Sequence, residues 1–209
     1  MTNRENIKSL AANGDAEAQY QLGLMYENGY GVPINYQLAY KYYTDSAIQE
    51  YAPAQNCLGV LYSSGKGVVR SYRRAFQWYS RAAELGDSYA QFNLAVMYKN
   101  GLGVEQDFEE ALKWYREAAN QGDAAAQNNL ALMYRKGEGV SVDYCKAFHL
   151  FEQAANQGDS KAKANLAEMY EAGLGTEKNR ELALSCYAQA AELGNPKAAE
   201  RINYYAVHK

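Results

Sequence analysis

Proline, cysteine and histidine are scarce in this chain of 209 residues, with three, three and two copies. So few prolines leave helices uninterrupted. The cysteines, Cys57, Cys145 and Cys186, are odd in number and irregularly spaced, so we expect free thiols in a reducing compartment and not a disulfide framework. The chain as given shows neither the apolar stretch of a signal peptide nor the roughly 18 apolar residues of a membrane span. We therefore expect a cytoplasmic protein that does not insert into membranes.

An excess of charge of one sign is also lacking. The net charge is −3, from 21 basic and 24 acidic side chains, so the overall field attracts neither nucleic acid nor an anionic membrane. Hydrophobic residues make up 48% of the chain, which is enough for a core. These values are compatible with a protein partner, but they lead us to expect no nucleic-acid partner.

What the chain does have is one block that recurs every 36 residues. Its most regular feature is a Gly-x-Gly pair, found at Gly29/Gly31, Gly65/Gly67, Gly101/Gly103, Gly137/Gly139 and Gly173/Gly175. A tyrosine precedes each pair by three residues: Tyr26, Tyr62, Tyr98, Tyr134 and Tyr170. A fixed period in this range is typical of stacked helical units. The pattern predicts an all-α solenoid.

Each repeat is predicted to contain two helices. In the first helix, Ala90, Leu94, Met97 and Tyr98 share the spacing of one apolar helical face. The Gly-x-Gly turn follows, because glycine accepts the positive φ at which many helices end. The second helix starts at a column of good N-cap residues, namely Asn35, Ser71, Asp107, Asp143 and Asn179.

These signals predict a single solenoid domain over residues 1–209. It divides into an N-terminal cap helix at 1–14, five repeats and a C-terminal cap helix at 195–209. The repeats cover 15–50, 51–86, 87–122, 123–158 and 159–194. Repeat two lacks both the junction glycine and the N-cap, since Glu50-Tyr51 stands there. A positive φ at Glu50 would cost about 1 kcal/mol or more. We interpret this as a tolerated variant, with a junction altered for a partner as the alternative.

The repeated motif resembles the Sel-one-like repeat (SLR) family, a tetratricopeptide-like class. The resemblance is carried by Leu-Ala-x-Met-Tyr, Gly-x-Gly-Val and Asp-x-x-x-Ala-x-x-Trp-Tyr-x-x-Ala-Ala-x-x-Gly-Asp, and it covers nearly the whole chain. It implies antiparallel helix pairs in a right-handed superhelix, with the first helices lining a concave wall. It also implies an adaptor or scaffold, often bacterial, and brings no catalytic residues. A cysteine-rich branch associated with β-lactam binding has paired cysteines in each repeat, which this chain lacks.

Patterns suggestive of chemistry are weak. The Gly-x-Gly pairs lack the Lys-Ser/Thr of a phosphate loop. Ser-x-x-Lys occurs at Ser63–Lys66 and Ser160–Lys163 without the Lys-Thr-Gly of penicillin-interacting enzymes. Cys145, His149 and Asp143 lie close together in the sequence. However, the first two fall in outward-facing columns, Asp143 is needed as an N-cap, and a third ligand is missing. We predict no catalytic residue, no metal site and no cofactor.

The columns that the core leaves over on the first helices form the main candidate binding surface. One column is almost constantly polar and reads Gln21, Cys57, Asn93, Asn129 and Asn165. Such an amide ladder could clamp an extended peptide, because amides both donate and accept hydrogen bonds. The predicted concave-groove residues are Tyr20, Gln21, Asn56, Tyr89, Phe92, Asn93, Val96, Asn128, Asn129 and Asn165. The alternative is a solvated groove without a specific ligand.

A second candidate surface is basic and belongs to repeat two. No acidic residue occurs between Glu50 and Glu84. The five cations of this stretch are Lys66, Arg70, Arg73, Arg74 and Arg81. They could dock an acidic or phosphate-bearing partner, or they are ordinary solvated surface.

The sequence therefore favours a monomeric protein–protein interaction adaptor that binds a partner protein or peptide in the groove of repeats two to four. Two other classes stay open. A β-lactam-type enzyme would depend on Ser63 or Ser160. A structural spacer would tolerate replacement of the groove residues.

Overall fold

The computed structural model describes residues 3–207, and this part of the chain forms twelve α-helices and no β-strand. In chain order they are α1 (Asn3–Ala12), α2 (Ala16–Asn28), α3 (Tyr36–Ala47), α4 (Ala52–Ser64), α5 (Tyr72–Glu84), α6 (Ser88–Asn100), α7 (Phe108–Asn120), α8 (Ala124–Lys136), α9 (Tyr144–Asn156), α10 (Ser160–Ala172), α11 (Arg180–Glu192) and α12 (Pro196–Val207). The prediction of an all-α repeat fold is confirmed.

The helices fall into two compact units, Met1–Asp107 and Phe108–Lys209. The N-terminal unit contains α1 to α6, and the C-terminal unit contains α7 to α12. Within each unit, consecutive helices pack against each other and are joined by short turns. That the whole chain forms one domain stays a prediction from the repeat.

The predicted N-cap residues begin the helices for the expected reason. At α3, α5, α9 and α11, the side chain of Asn35, Ser71, Asp143 or Asn179 accepts a hydrogen bond from a backbone N–H of the first turn. The first helices use Asp15, Asp87, Asp123 and Asp159 in the same way. Each cap satisfies a backbone donor that the helix itself leaves unpaired.

The two glycines of each Gly-x-Gly turn serve different purposes. The first ends its helix in the left-handed conformation, as at Gly101 with φ of 65°. The second, Gly103, has φ of 72° and lies so close to the start of α5 that a Cβ would be 2.4 Å from the backbone carbon of Tyr72. The sequence predicted the positive φ but not this close approach.

One core cluster of the N-terminal unit lies between the apolar faces of α3 and α4. Tyr43 and Leu58 are fully buried there. The Tyr43 hydroxyl donates to Glu27 Oε2 at 2.6 Å. In the C-terminal unit Tyr187 donates to Glu171 Oε2 at 2.9 Å in the same arrangement. This tyrosine column therefore belongs to the core in both units.

Repeat two departs from the others at its junction, as the sequence predicted. Glu50 has φ of 61° and is the one non-glycine residue with positive φ in residues 3–207. Tyr51 precedes α4 without a side-chain cap, and a proline lies in the first turn. At the other junctions glycine has positive φ: Gly14, Gly86, Gly122, Gly158 and Gly194.

Candidate partner-binding surfaces

Two amides of the predicted ladder column, Asn93 and Asn165, bond to asparagines of a neighbouring column on the preceding first helix and not to each other. In the N-terminal unit, Asn93 Nδ2 on α6 donates to Asn56 Oδ1 on α4 at 3.1 Å. In the C-terminal unit, Asn165 Nδ2 on α10 donates to Asn128 Oδ1 on α8 at 2.8 Å. Asn129 instead donates to the carbonyl of Ala125 on its own helix, at 2.8 Å. Each pair fixes the orientation of two side chains before any ligand arrives.

Accessibility distinguishes the two pairs. Asn56 and Asn93 are both half-buried, whereas Asn128 is only 4% exposed. Asn128 therefore supports Asn165 more than it offers a surface of its own. Among the described residues, Asn93 Oδ1 and its second N–H have no hydrogen-bond partner. Asn93 thus keeps one donor and one acceptor for a ligand.

Apolar side chains accompany the amide pair of the N-terminal unit. Tyr89 is 67% exposed, while Phe92 and Val96 are half-buried. Their spacing with Asn93 places all four on one side of α6. We call the set Asn56, Tyr89, Phe92, Asn93 and Val96 the α4–α6 face. It combines a fixed amide with an exposed ring.

Near α2, the surroundings of the predicted amide ladder are more aromatic. Tyr20 packs against Tyr51 and Tyr43, with ring centroids 5.3 and 6.0 Å apart, and burial raises the pKa of Tyr20 to about 12. Gln21 is half-buried. Cys57 occupies the amide column, and burial raises the pKa of its thiol to about 12, so it is not a nucleophile near neutral pH. The ladder is therefore interrupted by apolar packing here.

The five cations of the basic patch are all exposed, and four of them lie over aromatic rings. These contacts are Lys66 over Tyr36, Arg70 over Tyr72, Arg74 over Tyr62 and Arg81 over Trp78, with centroid distances of 4.9–5.7 Å. Within residues 3–207 none of the five forms an ion pair with a carboxylate. Arg81 lies about 12 Å along α5 from Arg73, so the patch is a cluster at the turn plus one distant cation.

The weak chemical patterns acquire structural explanations. Asp143 caps α9 and forms an ion pair with Lys146 Nζ at 3.0 Å, and Cys145 and His149 are exposed. The Ser63 hydroxyl donates to the Val60 carbonyl at 3.0 Å. In the part of the chain that is described, no group of three or more His, Cys, Asp or Glu side chains could hold a metal ion. No helix there is long and apolar enough to cross a bilayer.

Sequence reasoning named the paired asparagines but missed the pairing. Asn56 and Asn93 are 37 residues apart, as are Asn128 and Asn165. That spacing is one repeat plus one residue, so a search of the sequence for asparagines 37 residues apart could have found both pairs. Asn129, whose counterpart 37 residues earlier is Phe92, turns to its own helix instead.

Comparison with known proteins defines the family. The Sel1 repeat matches five times in tandem, at residues 16–50, 52–87, 88–123, 124–159 and 160–195. The chain belongs to the Sel1 repeat family. These boundaries differ from the predicted ones by one residue at most, and the predicted resemblance is confirmed. Sel1 repeat proteins are commonly protein-interaction scaffolds and generally non-catalytic. No curated protein sequence matches the chain.

Solved structures of Sel1 repeat proteins share the fold. A protective antigen of uropathogenic Escherichia coli with an SLR fold is 34% identical, with a TM-score of 0.88, over 95% of this chain and 42% of that one. A Sel1 repeat protein from Oxalobacter formigenes is 32% identical, with a TM-score of 0.89, over 95% and 80% of the two chains. A Klebsiella pneumoniae protein at 23% identity, with a TM-score of 0.63 over 97% and 99%, is similar in fold alone. The chain thus spans less than half of the E. coli protein.

Proposed function

We propose that this Sel1 repeat protein is an interaction module that binds an extended segment of a partner protein on the α4–α6 face. The observation that supports this most directly is the hydrogen bond between Asn93 and Asn56 beside the exposed ring of Tyr89. That it acts as a cytoplasmic monomer stays a prediction from the sequence.

The fixed amide fits a peptide backbone. The Asn56 oxygen holds one N–H of Asn93, so the remaining N–H and the Oδ1 of Asn93 have a set orientation. A peptide unit presents one carbonyl acceptor and one N–H donor, which match these two groups. Because the side chain is already ordered, less conformational entropy is lost when the ligand binds.

Tyr89 supplies the apolar anchor. Its ring is 67% exposed and lies one helical turn from Asn93. Burial of an exposed tyrosine under a partner is a frequent source of binding free energy, and its hydroxyl can still reach solvent. The face therefore combines orientation by the amide with affinity from the ring.

The proposal is tested by screening the purified protein against a displayed library of random peptides and titrating resynthesised hits by fluorescence anisotropy. We expect Asn93→Ala and Tyr89→Ala each to weaken binding about 10- to 30-fold. N-methylation of the peptide bond that meets Asn93 should have a similar effect.

The matched controls are Gln77→Ala, an exposed amide on α5, and Tyr30→Ala, a tyrosine 65% exposed in a turn. Both should bind like the wild type, and circular dichroism should show equal helix content in all variants. Hits that bind Asn93→Ala and Tyr89→Ala at full strength contradict the proposal. If such hits are acidic and are lost in Arg70→Ala, the basic patch is the docking surface; an absence of hits favours a spacer.

A further inference from the structure

A cavity of about 460 Å³ lies in the N-terminal unit where α3, α4 and α5 meet. Its walls include Ile48, Gln55, Trp78, Arg81 and Leu85. The preceding repeat has a cavity of about 500 Å³ at the equivalent place, lined by Gln19, Tyr42 and Asp45 among others. The two cavities allow the same position to be compared with different side chains.

The two cavities differ in the hydrogen bonding of the glutamine in their walls. Gln55 is only 4% exposed; its Nε2 donates to the Ala47 carbonyl at 3.1 Å, but its buried Oε1 has no partner. In the preceding repeat, Gln19 Oε1 accepts from Gln49 Nε2 at 2.8 Å. Thirty-six residues after Gln49 stands Leu85, which cannot donate. Buried acceptors without a partner are rare, so the vacant acceptor at Gln55 needs an explanation.

The same glutamine pair recurs in the C-terminal unit. There Gln127 Oε1 accepts from Gln157 Nε2 at 2.9 Å, and Gln157 occupies the repeat position of Gln49. The group that satisfies this acceptor elsewhere in the chain is therefore a primary carboxamide. Repeat two keeps the acceptor and lacks its donor.

Other walls of the repeat-two cavity complement the rest of such a group. Among the described residues, the Trp78 indole N–H has no hydrogen-bond partner, and Arg81 has no carboxylate within 4.0 Å. Either can donate to a carbonyl oxygen. Ile48 and Leu85 are exposed apolar side chains, 71% and 50% accessible, at the rim. An acceptor, donors and an apolar rim together match a carboxamide on an aliphatic stem.

We propose that this cavity binds the side chain of a glutamine presented by a partner protein. Its amide nitrogen donates to Gln55 Oε1, its carbonyl oxygen accepts from Trp78 or Arg81, and its methylene groups contact Ile48 and Leu85. Leu85, half exposed at the end of α5, turns toward solvent to open the acceptor. The partner thereby supplies the donor that Gln49 supplies within repeat one.

Hydrogen-bonding capacity favours a neutral group over the ionic alternatives. A lysine ammonium could donate to Gln55 and pair with Glu50 or Glu84, but it offers no acceptor to Trp78 or Arg81. A carboxylate could pair with Arg81 but offers no proton to Gln55 and meets the carboxylate of Glu84 in the wall. The neutral carboxamide avoids both conflicts. This site is separate from the α4–α6 face, so either proposal can fail without the other.

The test uses the fluorescence of Trp78 in a Trp114→Phe background, where it is the sole tryptophan, since the chain contains two. The probe is N-acetylglutamine methylamide, compared with the norleucine, glutamate and lysine analogues. We expect a saturable change with a dissociation constant of about 1 mM for the glutamine probe, as its size allows, and at least about 10-fold weaker binding of the analogues. If Trp114→Phe does not fold, saturation-transfer NMR on the wild type gives the same comparison.

Leu85→Gln supplies the missing donor from within the chain. It should abolish probe binding and raise the melting temperature by about 2–4 °C, because Gln55 gains a partner. Leu193→Gln, at the equivalent position of repeat five and similarly exposed at 52%, should change neither property. Failure of the glutamine probe to bind, equal binding of all probes, or undiminished binding to Leu85→Gln would overturn the proposal, and water alone would then satisfy Gln55.

Discussion

Glu50 adopts the left-handed backbone conformation that the other repeat junctions reserve for glycine. Its φ is 61°, against 82–92° for the junction glycines. A non-glycine residue in this region is strained by about 1–2 kcal/mol, because its Cβ crowds the following carbonyl oxygen. The strain persists because the helices on both sides of Glu50, α3 and α4, are fixed by their own packing.

Replacement of Glu50 by glycine should stabilise the protein. The relieved strain of about 1–2 kcal/mol exceeds the roughly 0.4–1 kcal/mol that glycine costs through the freedom of the unfolded chain, so we expect a net gain of about 0.5–1 kcal/mol in the free energy of unfolding. Urea denaturation followed by circular dichroism measures it. Glu84→Gly, at the last residue of α5, should instead destabilise by about 0.5–1 kcal/mol. A loss of stability in Glu50→Gly would show that the junction is not strained.

At the scale of elements, the Gly-x-Gly turn joins successive repeats as well as the two helices of one repeat. A Cβ on Gly67 would lie 2.7 Å from the backbone of Tyr36, at the start of α3. In the C-terminal unit, Gly139 and Gly175 approach Phe108 and Tyr144 in the same way. The second glycine of the pair therefore allows a turn to rest on the first residue of the preceding second helix.

Two glycine substitutions separate the conformational requirement from the packing requirement. Gly86 and Gly103 both have positive φ, but a Cβ on Gly86 would meet no atom within 4 Å. Gly86→Ala should cost about 1–2 kcal/mol of unfolding free energy. Gly103→Ala should cost about 1–3 kcal/mol more, since its Cβ overlaps backbone atoms that cannot move alone. Equal losses in chemical denaturation would show that contact with α5 is unimportant.

One carboxylate links α12 to two other helices of the C-terminal unit, in addition to the apolar packing of Ala198 and Ile202. Glu171 on α10 accepts hydrogen bonds from Tyr187 on α11 and from Arg201 and Tyr205 on α12. Burial by itself would raise the pKa of Glu171, but the hydrogen bonds from Arg201, Tyr205 and Tyr187 outweigh it and lower the pKa below its ordinary value. Folding therefore favours the ionised form.

The stabilisation by Glu171 should depend on pH. Because the pKa in the folded state is lowered, the contribution is present above the unfolded value of about 4.3 and is lost as pH falls through the folded value. At pH 7 we expect Glu171→Gln to reduce the unfolding free energy by about 1 kcal/mol, and the difference from wild type should shrink as pH falls below the unfolded value. Thermal denaturation over a pH series measures this.

A second carboxylate on the same helix provides the control. Glu168 forms an exposed ion pair with Arg135 at 2.8 Å. Glu168→Gln should cost less, about 0–1 kcal/mol, because exposed pairs are screened by solvent. If Glu171→Gln matched Glu168→Gln at every pH, the attachment of α12 would not depend on the Glu171 charge.

At the scale of the whole molecule, comparison of the repeats separates the residue positions that all repeats share from the positions that differ between repeats. The shared columns of alanine, leucine, tyrosine and glycine pack neighbouring helices, and stability in such proteins is approximately a sum of repeat and nearest-neighbour contributions. Positions at which one repeat departs from the rest are available for binding. Glu50, Leu85 and Tyr89 differ from the residues at most equivalent positions, and they lie at the end of repeat one, the end of repeat two and the start of repeat three, respectively.

The sequence by itself determined the helices, their ends and the family. Helix starts such as Asn35, helix ends such as Gly101, and the strained junction at Glu50 depend on interactions within a few residues, so the local pattern was sufficient. The period of 36 residues then specified the number of repeats and the resemblance to the Sel1 repeat.

Only the tertiary structure decided which side chains meet between helices. Asn93 reaches Asn56 over 37 residues, and Gln19 reaches Gln49 over 30. Such contacts depend on the separation and rotation of packed helices, which local propensities do not specify. The unpaired oxygen of Gln55 is visible only in three dimensions, because it is defined by a donor that the end of the same repeat, at Leu85, fails to provide.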